Sequence, residues 1–233
     1  MRTPKVERPG PVAVNRGVTV HTRTLIGVVQ DSAAGISRQE RKRRTRQALL
    51  DAALRLVGQG SLAGLSLREL TREIGIVPTA FYRHFASMDD LGVALVEEST
   101  RPLRAVLRQA RREPAAITGS VSTLVDQVAA HAPQFRFLVR ERHGGVPEVR
   151  RAIAAELRLF GSELATDLGR LPELADWSAD DLRMAADLMV GAMLATVTAL
   201  LEVGTHPDDL ADVVRVARRQ LRLITLGMAA WRG

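Results

Sequence analysis

From residue 37 onward the apolar positions of this chain follow helical spacing. Ser37 with Glu40 three residues later has capping-box spacing, and Leu49, Ala53, Leu56 and Val57 then share one face, predicting a helix to about residue 59. A second box, Ser66 with Glu69, opens a short helix whose Leu67, Leu70 and Ile74 recur at i, i+3 and i+7. Gly75 stops it, since glycine accepts the left-handed backbone of a tight turn between helices. Ile76 and Val77 fill the angle, and Pro78 stands where a proline starts a helix at no cost in hydrogen bonds. On the wheel beyond it, Phe81 and Phe85 fall on one face and Thr79, Tyr82 and Arg83 on the other, with Ala80 and His84 between them.

Downstream, helical segments are expected at 87–112, 117–130, 133–142, 147–169, 179–203 and 207–231, with proline or glycine at the junctions. No period-two alternation and no internal repeat occurs there, so the fold class is all-α. The longest apolar run, LMVGAMLATVTALL at 188–201, falls short of the roughly 20 residues of a bilayer span and predicts a buried helix without stable membrane insertion. Residues 1–35 carry Pro4, Pro9, Gly10, Pro11 and Gly17, then VTVHTRTLIGVV, which alternates faintly. A lone strand does not hold itself, so these residues predict a disordered basic tail: a spectator, an arm adding phosphate contacts, or a translation start placed too far upstream.

Composition narrows the picture. Hydrophobic residues make up 46% of the 233 and aromatic ones 3%, so aliphatic side chains do the packing, as in a helical protein. There is no cysteine, which excludes disulfides, thiolate metal sites and cysteine nucleophiles and suits the cytoplasm. The net charge of +7 is unevenly placed: residues 36–85 hold ten Lys/Arg against four Asp/Glu, residues 1–35 five against two, and the remainder is slightly acidic. A cationic end on an acidic body suits a protein that holds a polyanion at one end. Arg41, Lys42, Arg43, Arg44 and Arg46 crowd the start of a helix, where the macrodipole disfavours cations, and phosphate is the simplest reason. The five histidines show no paired-ligand spacing, and neither a GxSxG nor a phosphate-cradling glycine loop occurs, so neither an enzyme nor a metal site is expected.

The run SLRELTREIGIVPTAFYRHF at 66–85 resembles the helix-turn-helix of TetR-family transcriptional regulators. PTAFYRHF, MDDLGVALVEES from Met88, SVSTLVDQV from Ser120 and FRFLVRERHGG from Phe135 are similar, more narrowly, to the fatty-acid-responsive FabR/DesT branch, over residues 38–232. The resemblance implies a three-helix DNA-binding domain at 36–85 and a helical ligand-binding and dimerisation domain at 86–233. It implies a homodimeric repressor of lipid or fatty acid desaturation and biosynthesis genes, bound to double-stranded palindromic operator DNA. No cofactor is expected; the effector would be a long-chain acyl-CoA, with unsaturated acyl chains favouring the DNA-bound form. DNA contacts would come from Thr79, Tyr82, Arg83 and His84 with Ser66, Arg68, Arg44 and Thr45, mostly to phosphates, with Arg83 and Thr79 better placed for base edges. Many family members carry a phosphate-contacting Lys where this chain has Met88, Asp89 and Asp90, so that contact is not carried over.

Gly191, Ala192 and Ala195 form a small-residue groove suited to close helix approach, in the dimer interface that the family builds from its last two helices. The alternative is packing within one monomer. Phe135, Leu138, Phe160, Leu164, Met184, Leu188 and Met193, with Phe137, could line an acyl channel or simply be core. Arg140, Arg142 and His143 before two glycines could hold coenzyme A or pantetheine phosphates, or merely suit a helix C-terminus; Arg104 and Arg108 are a second choice. Two other readings remain: a TetR-type repressor of an efflux or catabolic gene answering to another apolar or a cationic small molecule, the latter needing a buried acid, and a non-DNA acyl-binding or membrane-surface module.

Overall fold

The computed structural model describes residues 37–112, 117–204 and 206–231, without side-chain detail at 59 and 105–119. The tail expected at 1–35 lies outside the described residues. The chain divides at Arg41/Lys42 into two units. Of the first, residues 37–41 are described: Ser37 Oγ accepts the Glu40 N–H at 3.1 Å, and Arg41 donates to the Ser37 carbonyl. The second unit, residues 42–233, carries the cores, the helix-turn-helix and the cavity.

The fold is all-α, with no strand among the described residues. Helix α1 (Arg38–Gln59) leads through a 3-10 turn (Leu62–Gly64) to α2 (Leu67–Glu73) and the single turn of α3 (Pro78–Phe81). Six longer helices come after it: α4 (Met88–Arg112), α5 (Ile117–Ala130), α6 (Ala132–Glu141), α7 (Pro147–Leu168), α8 (Ala179–Val203) and α9 (Pro207–Ala230). Prolines open α3, α6, α7 and α9, where a missing N–H costs nothing. Pro102 is the exception. It lies inside α4, where it has no N–H to give the Glu98 carbonyl and so marks a weak point in that helix.

One core joins Leu49, Ala53 and Val57 of α1, Leu70, Phe81 and Phe85 to Leu91 and Leu95 of α4 and to Phe137, Val149 and Ile153 of α6 and α7. Packing is therefore continuous across residue 85. A second core gathers Leu103, Leu124, Phe135, Phe160, Val190 and Val197 between the long helices. Gly92 is where α4 meets the head: a Cβ there would stand 2.5 Å from Leu62 Cδ2 and 2.7 Å from Val149 Cγ2.

Helix α8 differs from expectation. It is 25 residues long, with a mean hydropathy of 1.8 over 18 of them, long and apolar enough by length and composition to cross a membrane, and only 33% of that window is buried. It is not the buried helix its apolar run predicts. Met184 (43% exposed) and Leu188 (56%) share an outward stripe with Gly191 and Ala195, both also exposed, and Val216, Leu223 and Leu226 are exposed on α9. One apolar face of α8 serves this chain's own core; the other is uncovered, as a helix shared with a second copy would be.

Candidate DNA interface and ligand cavity

The helix-turn-helix is assembled by local chemistry. Ser66 caps α2, its Oγ accepting the Glu69 N–H at 3.1 Å. Gly75 takes φ 70°, donating to the Arg72 carbonyl, while Ile76 donates to Thr71. Beyond α3 the chain continues as tight turns, His84 and Phe85 both donating to the Phe81 carbonyl. Phe81 and Phe85 are buried with ring centroids 5.6 Å apart, and Tyr82, 61% exposed, stands edge-on to Phe81. Arg44, Ser66, Arg68, Thr79 and Arg83 are exposed, whereas Thr45 and His84 are half-buried.

Within the α1 cationic run, Arg46 turns toward the end of the recognition element. Its Nη1 donates to the His84 carbonyl at 3.0 Å and its guanidinium lies 4.2 Å from the Phe85 ring centroid, so it fastens the end of the recognition element to α1. His84 has its pKa lowered, first by burial and then by Lys42, Arg46 and Arg83, and its Nδ1 is buried without a hydrogen-bond partner among the described residues. The acidic start of α4 serves to cap that helix. Ser87 Oγ accepts the Asp90 N–H at 3.0 Å, and Asp90 Oδ2 accepts the Ala86 N–H at 3.1 Å.

The second feature is a small apolar cavity of about 20 Å³ between α4, α6, α7 and α8. Of the residues expected there, Phe135, Leu138, Arg142 and Phe160 line it. Leu164 and Met193 pack in the cores beside it instead, and Met184 and Leu188 point outward on α8. Arg140 is engaged elsewhere, donating from Nη1 to the Val57 carbonyl at 2.8 Å and to that of Gly60, and His143 is exposed on the turn after α6. The three-residue phosphate cluster is thus divided, because Arg140 and Arg142 leave one helix end in different directions. Residues the sequence did not single out complete the lining: Thr100, Leu103, Val139, Ile153, Glu156, Leu157, Leu194 and Val197. Ile153, Leu157 and Phe160 are one stripe of α7, but helical spacing alone does not tell a stripe beside a void from one packed in core. Arg104 pairs with Glu156 at 2.5 Å, reaches Glu163 at 3.9 Å and lies over the Phe160 ring at 5.3 Å, so the acid on the cavity wall is already neutralised.

Residues 49–95 match the family model described as "Bacterial regulatory proteins, tetR family", and residues 114–227 match that of the "Tetracyclin repressor-like, C-terminal domain". The chain belongs to the TetR family. Proteins of this family are DNA-binding transcriptional regulators that dimerise and bind small-molecule effectors, and are not enzymes. Among solved structures, FadR from Bacillus subtilis in complex with stearoyl-CoA is similar with a TM-score of 0.60 at 16% identity, over 78% of this chain and 98% of that one. The fatty acid degradation regulator FadR from Bacillus halodurans gives 0.59 at 15%, over 77% and 94%. The multidrug binding protein EbrR, complexed with imidazole, gives 0.57 at 22%, over 77% and 93%. At these identities the likeness is one of fold.

Proposed function

We propose that this TetR-family regulator is a cytoplasmic homodimeric repressor of lipid or fatty acid desaturation and biosynthesis genes, with a long-chain acyl-CoA or related acyl thioester as its effector. The observation that carries the reading is the cavity: aliphatic and phenyl side chains form nearly all of its wall, and its one carboxylate is held by Arg104. An acyl chain suits such a wall. A cationic drug would need an acid free to receive it, and Glu156, the acid on the cavity wall, is already paired with Arg104, which disfavours the efflux-type reading. The fold shared with a stearoyl-CoA-binding FadR supports the same effector class.

In this reading Thr79, Tyr82, Arg83 and His84, with Ser66, Arg68, Arg44 and Thr45, meet the operator. The outward stripes of α8 and α9, Gly191, Ala192 and Ala195 among them, meet a second copy. Ligand in the cavity shifts the population between two separations of the recognition elements, which must match one DNA turn at about 34 Å. The test is fluorescence anisotropy on the duplex upstream of the protein's own gene, titrated with oleoyl-CoA and palmitoyl-CoA. Opposite shifts by the two support a sensor of acyl saturation; tight sequence-specific binding indifferent to both keeps the regulator and removes the fatty acid assignment.

A further inference from the structure

The last residue of α6 is a carboxylate that neither DNA contact nor the cavity requires. Glu141 is completely buried, and a carboxylate in such a place needs a partner to offset its desolvation. Its Oε1 accepts the backbone N–H of Leu62 at 3.0 Å, in the 3-10 turn that joins α1 to α2. Its neighbour Arg140 donates to the carbonyls of Val57 and Gly60 at the end of α1, where helix carbonyls lack intrahelical donors. Arg150 ties the turn after α6, donating to the Gly144 carbonyl at 2.7 Å, and Gly144 packs so closely on Glu141 Oε2 that a side chain has no room there. Gly145 approaches Ala63 less closely, a Cβ there standing 3.0 Å from the Ala63 Cβ.

The same helical turn also walls the cavity. Leu138, Val139 and Arg142 line it, while Arg140 and Glu141 between them grip the connection from α1 to α2. Leu138 and Ile153 belong at once to the cavity wall and to the head's core. Glu141 Oε2 has no hydrogen-bond partner among the described residues, so the grip is only half satisfied and is released at less cost than a complete one. We propose that Arg140 and Glu141 are positioning residues that carry cavity occupancy to the DNA-binding head by fixing the α1–α2 connection. The inference rests on the reading that the cavity is the effector site, but not on the identity of the effector.

The experiment places an occupant in the cavity by substitution. Operator affinity of the full-length chain is measured with and without Leu194→Phe, on a duplex selected from random DNA by the parent, in the parent, Arg140→Met, Glu141→Leu and Glu141→Gln backgrounds. Leu194→Phe is expected to change the parent's affinity by about fivefold or more, the lower end of allosteric coupling. In Arg140→Met and Glu141→Leu that change falls to less than about twofold, whereas Glu141→Gln, which keeps an acceptor for the Leu62 N–H, retains it. A merely structural role would lower every melting temperature and leave the effect of Leu194→Phe intact. No change in the parent, or an equal change in all backgrounds, overturns the proposal. Should Glu141→Leu fail to fold, the Arg140→Met arm decides. Because the occupant is built in, a flat oleoyl-CoA titration removes the fatty acid assignment without touching this result.

Discussion

The DNA-binding head and the effector body of this regulator place their candidate site residues by opposite means. In the head, Tyr82 and Arg83 point outward because Phe81 and Phe85, their immediate neighbours, are drawn inward, and Ser66, Gly75 and Pro78 set every bend within a few residues. In the body, Leu138, Phe160 and Val197 come from three helices, and what they surround is a space that no local pattern records. A presented surface is a local property of the chain, while a cavity is what remains after distant helices fail to fill a volume.

Two equally buried phenylalanines give the sharpest way to break that comparison. Phe81→Ala and Phe160→Ala should each cost about 3–5 kcal/mol in urea unfolding, the usual loss for a deleted core ring. Their functional effects should separate: Phe81→Ala abolishes operator binding, whereas Phe160→Ala enlarges the cavity and leaves operator binding within reach of stabilising conditions. Loss of DNA binding in both would mean that head and body unfold together. Next in size, Arg83→Ala should weaken operator binding by about 1–3 kcal/mol and relax preference at one base position, while Tyr82→Ala weakens binding evenly across a DNA panel. Parent-like binding by both would show that the reading surface lies elsewhere. Gly75→Ala, forcing a Cβ into φ 70°, should cost about 1–2 kcal/mol by calorimetry with no change in effector affinity.

The smallest effect belongs to His84. Burial and three nearby cations lower its pKa below 6.5, so the unfolded state takes up a proton before the folded state as pH falls. The stability it contributes is complete above about pH 6.5 and is lost as pH drops through the lowered folded value. In His84→Gln that part of the pH dependence of urea unfolding should vanish. An unchanged profile would mean that neither burial nor Lys42, Arg46 and Arg83 lower the pKa of this imidazole.

Legibility in the sequence followed range. Helix starts at Ser37, Ser66, Pro147 and Pro207 are visible because caps and prolines act over three or four residues. The one-turn length of α3 is less visible, since Phe81 receives both the His84 and Phe85 amides and closes the helix early. Among the candidate contacts, the outward face of the head was readable from the wheel, but Arg46, one cation in a run of them, turns inward because an aromatic ring and a helix-end carbonyl are waiting there. In the body the wheel found apolar stripes without saying which is wall, which is core and which is outer face. Leu188 and Leu194 belong to one apolar run, yet one is exposed and the other lines the cavity.

What the sequence determined by itself is the order of helices, the turn between α2 and α3, the polarity of the recognition face and the cationic end, all set by interactions within one or two turns or by summed charge. The tertiary structure alone decided that Arg140 and Glu141 turn toward α1 while Arg142 stays at the cavity, that α8 keeps an uncovered apolar face, and that Glu156 is neutralised by Arg104. Those outcomes depend on which groups meet across 50 or 80 residues of chain, and a side chain's partner at that distance is fixed by packing.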